Sequence, residues 1–278
     1  MANQLGFRVW GARGSLPRLS KGQKRLGGNT VCLEVMHSQD EWIVLDAGTG
    51  IANLGDHILS KGDAASIHLF ISHYHWDHIM GLPFFGPIYR KGYSIALYGL
   101  SADEGHVREM LDVVFSPIYS PIYSPDNLLG SLSVPKEQAR YMIGDVSIET
   151  FALPDIHPGG YMVVRVEGLG GSFVYASDVE LREPAVIDTL IQCCSGVDLL
   201  LCDATFSQER FETAVDWGHS SLEAAYAVAH RAGVKRLMGI HYDPLRTDEE
   251  LDEVVSREAG RFPSTTVALA REGDTVWL

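Results

Sequence analysis

Three imidazoles and one carboxylate fall within six residues of this 278-residue chain, at His73, His75, Asp77 and His78 in Ser72-His73-Tyr74-His75-Trp76-Asp77-His78. Neutral imidazole and carboxylate are donors that zinc takes, and manganese and iron accept the same set. The run follows residues 67–71, a short apolar stretch that reads as a buried strand. Alternation then sends His73 and His75 to one side, while Asp77 and His78 open the next turn. Buried without a cation, each of these groups would need a partner and would carry a desolvation cost. Metal binding is the simplest reading.

The elements that must position such a cluster alternate along the chain. Strand-like runs lie at 31–36, 42–45, 67–71, 94–98, 146–151, 161–166, 173–176, 197–202 and 236–240. Helical spacing appears at 52–59, 221–232 and 248–258. Gly168-Leu169-Gly170-Gly171 reads as a hairpin turn, and Gly233 as the residue that ends helix 221–232. Neither a composition shift nor a long linker divides the chain, so a single mixed α/β domain over 1–278 is expected. Ser116-Pro-Ile-Tyr119 is repeated at once as Ser120-Pro-Ile-Tyr123, followed by Ser124-Pro125. Proline at every fourth place forbids helix and central strand, so this is an extended, stiff loop. It serves as a packed connector or as a lid carrying Tyr119 and Tyr123 toward a ligand.

Composition, at 46% hydrophobic and 21% charged, is that of an ordinary globular protein. Apolar runs fall far short of the roughly 20 residues of a membrane span. The first residues hold no apolar signal segment, so a cytoplasmic protein without a membrane partner is expected. Lys and Arg number 22 against 36 Asp and Glu, a formal net charge of −14. That surplus repels polyphosphate, so long nucleic acid is not expected as a partner. A short phosphate ester is still admitted to a metal-lined pocket, where the cation dominates the field. Cys32 and Cys202 sit in apolar runs as packing residues, and the adjacent Cys193 and Cys194 read as reduced thiols. His37, His57, His68, His106 and His230 read as surface residues, and Phe84-Phe85 as packing beneath the site or lining its mouth.

The His-x-His-x-Asp-His run after a strand resembles the metallo-β-lactamase superfamily, and further motifs of that family follow in order. They are Asp46 in Leu45-Asp46-Ala47-Gly48-Thr49-Gly50, His157 in Asp155-Ile156-His157-Pro158, Asp178 in Tyr175-Ala176-Ser177-Asp178, and His241 in Gly239-Ile240-His241-Tyr242-Asp243. The resemblance implies a four-layer αββα sandwich, two sheets face to face, with metals at one edge. It also implies two divalent cations, zinc first, with manganese or iron as alternatives. His73, His75 and His157 would hold one, Asp77, His78 and His241 the other, with Asp178 bridging. Asp46 would act from behind, orienting a ligand histidine or a water. Two cations roughly 3.5–4 Å apart can share a hydroxide and clamp both oxygens of an in-line displacement.

Three further segments resemble the ribonuclease Z-like and phosphoribosyl cyclic phosphodiesterase-like branch. They are Trp10-Gly11-Ala12-Arg13-Gly14-Ser15-Leu16-Pro17 with Gly27-Gly28-Asn29-Thr30, then Leu201-Cys202-Asp203-Ala204-Thr205-Phe206, then Trp217-Gly218-His219-Ser220-Ser221. This implies that His219 donates a proton to the leaving oxygen, an effect of about 10²–10⁴-fold. Ser220 follows as an N-cap, and Arg13 is a candidate phosphate contact. His219, Asp77 and Asp46 are therefore the candidate catalytic residues. Histidine rather than glutamate at 75 favours hydrolysis over redox chemistry. Ribonuclease Z commonly carries a tRNA-gripping arm between its last two motifs. Here 241 − 178 − 1 = 62 residues separate Asp178 from His241, without a basic, glycine-rich insertion. A dinuclear phosphodiesterase acting on a small or cyclic phosphodiester is expected. An acyl metallohydrolase for thioesters or lactones, or a metal-dependent sensor without turnover, are the alternatives. Homodimers are common in the superfamily.

Overall fold

A computed structural model of the chain describes residues 4–37, 41–99, 104–119, 130–136, 138–154 and 160–278. One sheet takes β1 (Gly6–Gly11), β2 (Cys32–Met36), β3 (Glu41–Leu45), β4 (Ala65–Ile71), β5 (Tyr93–Gly99) and β6 (Ser131–Ser133) in spatial order. The other takes β7 (Arg140–Ile143), β8 (Val146–Leu153), β9 (Tyr161–Gly168), β10 (Gly171–Ala176), β11 (Leu199–Asp203), β12 (Arg236–Ile240) and β13 (Thr266–Leu269). The last strand, β14 (Thr275–Trp277), returns to the first sheet beside β1. Helices α1 (Gly50–Leu59), α2 (Trp76–Ile79) and α3 (Glu104–Val114) belong with the first sheet. Helices α4 (Pro184–Cys193), α5 (Gln208–Thr213), α6 (Leu222–Arg231) and α7 (Asp248–Glu258) belong with the second.

The side-chain period of a strand explains the layering. On β4, Ile67, Leu69 and Ile71 pack with Ile51, Leu54 and Ile58 of α1, while Phe70 turns the other way, into the core shared by the two sheets. Leu222, Tyr226 and Ala229 of α6 and Leu251 of α7 cover the second sheet. The result is the expected αββα sandwich.

Strand direction places the chemistry. β3, β4 and β5 run parallel, as do β10, β11 and β12. Asp46, the segment 72–78, Asp178 and His241 each follow the C-terminal end of one of these strands, and Asp203 ends β11. The β9–β10 hairpin turns at Leu169-Gly170, where Gly170 takes φ 101°. Gly233 ends α6 with φ 73°, as expected.

Some expectations need correction. The first Ser-Pro-Ile-Tyr repeat is not extended: Tyr119 N–H donates to the Ser116 carbonyl at 2.9 Å, closing a turn. The second repeat and Tyr123 lie outside the described residues. The cap of α6 is Ser221, which accepts from Ala224 N–H, whereas Ser220 ties two loops together. His37 is bonded to Asp145 and the Glu41 carbonyl, and His68 to Tyr98, so neither is a plain surface residue. All four cysteines are free and buried. Among the described residues no helix is long and apolar enough to cross a membrane.

Candidate metal centre

The ligand candidates meet at the edge between the sheets. His73 Nε2 lies 3.0 Å and His75 Nδ1 3.5 Å from Asp178 Oδ2. On the other side, His241 Nε2 is 3.0 Å from Asp77 Oδ2 and 3.1 Å from His78 Nε2. His78 Nε2 and His241 Nε2 stand 3.6 and 3.7 Å from Asp178 Oδ2. Two donor sets result, His73–His75–Asp178 and Asp77–His78–Asp178–His241, each with its atoms within 4.8 Å of one another and with Asp178 common to both. Their chemistry suits a divalent cation, and all but the half-exposed His75 are buried. His157 lies outside the described residues.

Backbone strain helps to aim these side chains. Asp46, Asp178 and His241 take φ values of 61°, 55° and 64°, the left-handed region that costs a non-glycine residue energy. Each stands one or two residues past a strand end, where the reversal turns its side chain back over the sheet edge. Asp77 and His78 enter through α2, whose N-cap position is His75.

A second layer of contacts orients the imidazoles. Buried Asp46 meets His78 Nδ1 at 2.8 Å through Oδ2, and accepts Ser72 N–H at 2.7 Å and the Tyr175 hydroxyl at 2.6 Å. Burial raises the Asp46 pKa, but His78 and these hydrogen bonds outweigh it and keep the carboxyl below its ordinary range. With Nδ1 bonded to Asp46, His78 directs Nε2 at the centre. Burial likewise opposes ionisation of Asp77, yet His78 and His241 hold it well below the usual carboxylate range. Asp77 Oδ2 also accepts the Ser15 N–H at 2.7 Å.

His219 joins the same cluster. Its Nδ1 is 2.8 Å from Asp178 Oδ1 and 3.2 Å from Asp203 Oδ2. Burial lowers its pKa, but Asp178 and Asp203 prevail and push it up to about 11. Asp203, His219 and His241 also form a third donor group. Asp203 is already spent on hydrogen bonds: Oδ1 accepts Thr205 and Ser220 N–H at 2.9 Å each, and Oδ2 accepts the Thr205 hydroxyl at 3.0 Å. Its place is behind His219 and His241. Thr205 Oγ1 also lies 2.9 Å from His241 Nδ1.

The sequence motifs contain Asp203, Thr205, Ser72, Tyr175 and Ser15, but sequence alone gives none of them a role. Their residue types carry no signal until the fold folds them back onto a histidine or a carboxylate. Arg13, by contrast, is not placed to touch phosphate. It is fully buried, donating to the Gly27 carbonyl at 3.0 Å and the Arg246 carbonyl at 2.8 Å, with Asp248 at 3.0 Å. The Phe84-Phe85 pair divides: Phe85 is in the core and Phe84 is 72% exposed.

Gly14 sets the approach of the first loop. A Cβ there would stand 2.3 Å from two atoms of the His241 ring. Gly14→Ala should displace that imidazole and lower metal affinity by about 10–100-fold, read by competition with a chromophoric chelator. Unchanged affinity would show that His241 is not a ligand.

A model of the beta-lactamase superfamily domain matches residues 41–242, well over half of the chain. The chain belongs to the beta-lactamase superfamily. Ribonuclease Z of Parabacteroides distasonis is 25% identical over 86% of this chain and 90% of its own. The metallo-β-lactamase fold protein YhfI of Bacillus subtilis superposes with a TM-score of 0.71 at 21% identity, covering 99% of this chain and 100% of its own. A diphosphatase of the PhnP family superposes with a TM-score of 0.68 at 17% identity, covering 98% and 97%. The family and the His/Asp donor sets make the chain a metal-dependent hydrolase whose cluster fits divalent cations. The expectation that long nucleic acid is excluded does not stand, since a relative matched over most of the chain is a ribonuclease by name. Net charge misled because it sums the whole surface. Arg18, Lys21, Lys24 and Arg25 lie on the loop between β1 and β2, which precedes the first acidic residue, Glu34, and adjoins the metal centre through Ser15.

Proposed function

We propose that this superfamily member is a dinuclear phosphodiesterase, with zinc the first choice of metal. His73, His75 and His157 would hold one cation and Asp77, His78 and His241 the other, with Asp178 between them. When bound, the cations supply Lewis acidity, lowering the pKa of a water toward about 7 and neutralising charge on phosphoryl oxygens. The remaining work falls to side chains. Asp46 holds the Nδ1 side of His78, and Thr205 with Asp203 holds the Nδ1 side of His241, so both Nε2 atoms face the centre. Asp77, kept ionised and bonded to Ser15 N–H, fixes the first loop against the site.

The observation that carries the reading is His219. Its imidazole Nδ1 sits 2.8 Å from the shared carboxylate and 3.2 Å from Asp203, which holds the ring at the edge of the centre as a proton donor would need to be held. An alkoxide leaving group needs such a proton donor, whereas a thiolate does not. That favours phosphodiesters over thioesters. A small or cyclic phosphodiester presents the reacting linkage whole, and the 62 residues between Asp178 and His241 fold into α4, β11, α5, α6 and β12 with no extended insertion. The ribonuclease relative favours, as a second reading, the same linkage within an RNA strand.

Metal-stripped protein reloaded separately with zinc, manganese and iron tests this. Turnover of bis(p-nitrophenyl) phosphate is expected to depend on the added metal. A cyclic nucleotide and an RNA with a 3′ extension then separate the two readings. Absence of phosphodiester turnover with every bound metal, alongside hydrolysis of a thioester, would transfer the site to the acyl class.

A further inference from the structure

Several large apolar side chains that face water stand on the loops of the metal centre. Leu16 follows Ser15, Trp76 separates His75 from Asp77, Trp217 precedes His219 by two residues, and Leu245 follows His241. Exposed apolar clusters at the rim of a site mark a binding surface. Trp217 is the most elaborately held of them. Glu180 is 6% exposed, yet its carboxylate is spent on the Trp217 loop. Oε1 accepts Asp216 N–H at 3.2 Å and Oε2 accepts Gly218 N–H at 3.0 Å, one on each side of Trp217. Asp216 and Gly218 take φ values of 60° and 79°, so a left-handed turn on either side sets the direction of the indole. The Ser220 hydroxyl donates to the Val179 carbonyl and accepts Leu181 N–H at 2.8 Å, tying the loop to the segment that carries Asp178. The Arg210 guanidinium lies 4.9 Å from the centroid of the indole ring.

These devices do not bury the indole, which stays 60% exposed. A tryptophan serving the core would hide its ring, so this one is kept in water by a buried carboxylate and a strained residue. The Trp217 loop carries His219 and is tied next to Asp178, so an ester group of a phosphodiester at the centre has this loop as a neighbour. We infer that Trp217 stacks on the base of a nucleoside carried by the substrate. A planar heteroaromatic ring is the occupant that an open indole favours, and each such stack is worth a sequence-tolerant gain in binding. This rests on the phosphodiesterase reading and names the class of ester, nucleoside phosphodiesters, that the site prefers. Trp217 is thus a specificity residue outside the metal chemistry.

The test compares thymidine 5′-(p-nitrophenyl phosphate) with methyl p-nitrophenyl phosphate on the metal-loaded protein. The leaving group is the same, so only the nucleoside differs. Trp217→Ala should lower kcat/KM for the nucleoside ester relative to the methyl ester by about tenfold, mainly through KM, and Trp217→Phe should restore most of it. Thymidine 5′-monophosphate should quench tryptophan emission in the wild type and less in Trp217→Ala. Hydrolysis of both esters at an unchanged ratio overturns the inference alone. A change in oligomer size with that ratio unchanged also overturns it and makes the indole a protein contact. Hydrolysis of neither ester by the wild type overturns the phosphodiesterase reading and this inference together.

Discussion

Asp178→Asn protein is expected to bind about half the metal of the wild type and to hydrolyse phosphodiesters slower by about 10³-fold. Asp178 Oδ2 lies within 3.7 Å of nitrogens of His73, His75, His78 and His241, so it belongs to both donor sets. Asparagine tolerates the φ of 55° at this position better than alanine would, so the backbone is preserved while the bridging charge is removed. Elemental analysis with a parallel rate measurement is the check, and a matching melting curve would separate this loss from misfolding. A variant with two cations per chain and the wild-type rate would sink the bridging role.

The second large effect should come from His219→Ala, and its size should follow the leaving group. For an alkoxide the rate should fall by about 10²–10⁴-fold, because the proton donor is gone. For p-nitrophenolate, which leaves without a proton, the loss should be much smaller. Metal content should stay near that of the wild type, since His219 meets Asp178 through Oδ1 while the donor sets share Oδ2. Equal losses on both leaving groups would make His219 a structural partner of Asp178 and Asp203.

Much of this centre was legible in one dimension because its ligands are clustered. His73, His75, Asp77 and His78 lie within one turn after a strand, and their types have few other uses at that spacing. Asp46, Asp178 and His241 were legible only through the family resemblance, whose motifs they match in order, and the structure places each just past a strand end. The αββα order was implied by the family resemblance; strand and helix periods outlined the central elements and missed others, β1 and α4 among them. β1 is broken by a bulge between Val9 and Gly11, and α4 opens at Pro184, which reads as a breaker.

What the sequence supplied by itself was a candidate donor set, its order along the chain and the family resemblance, because those depend on residue type and local spacing. Tertiary structure alone decided which partners aim those donors. Tyr175 lies 129 positions from Asp46, and Ser15 lies 62 from Asp77, so no local pattern could pair them. It also turned Arg13 from a phosphate candidate into a buried tie to Asp248, and split Phe84 from Phe85. Burial and long-range hydrogen bonding are properties of the packed chain, and they come into being only when the two sheets close on each other.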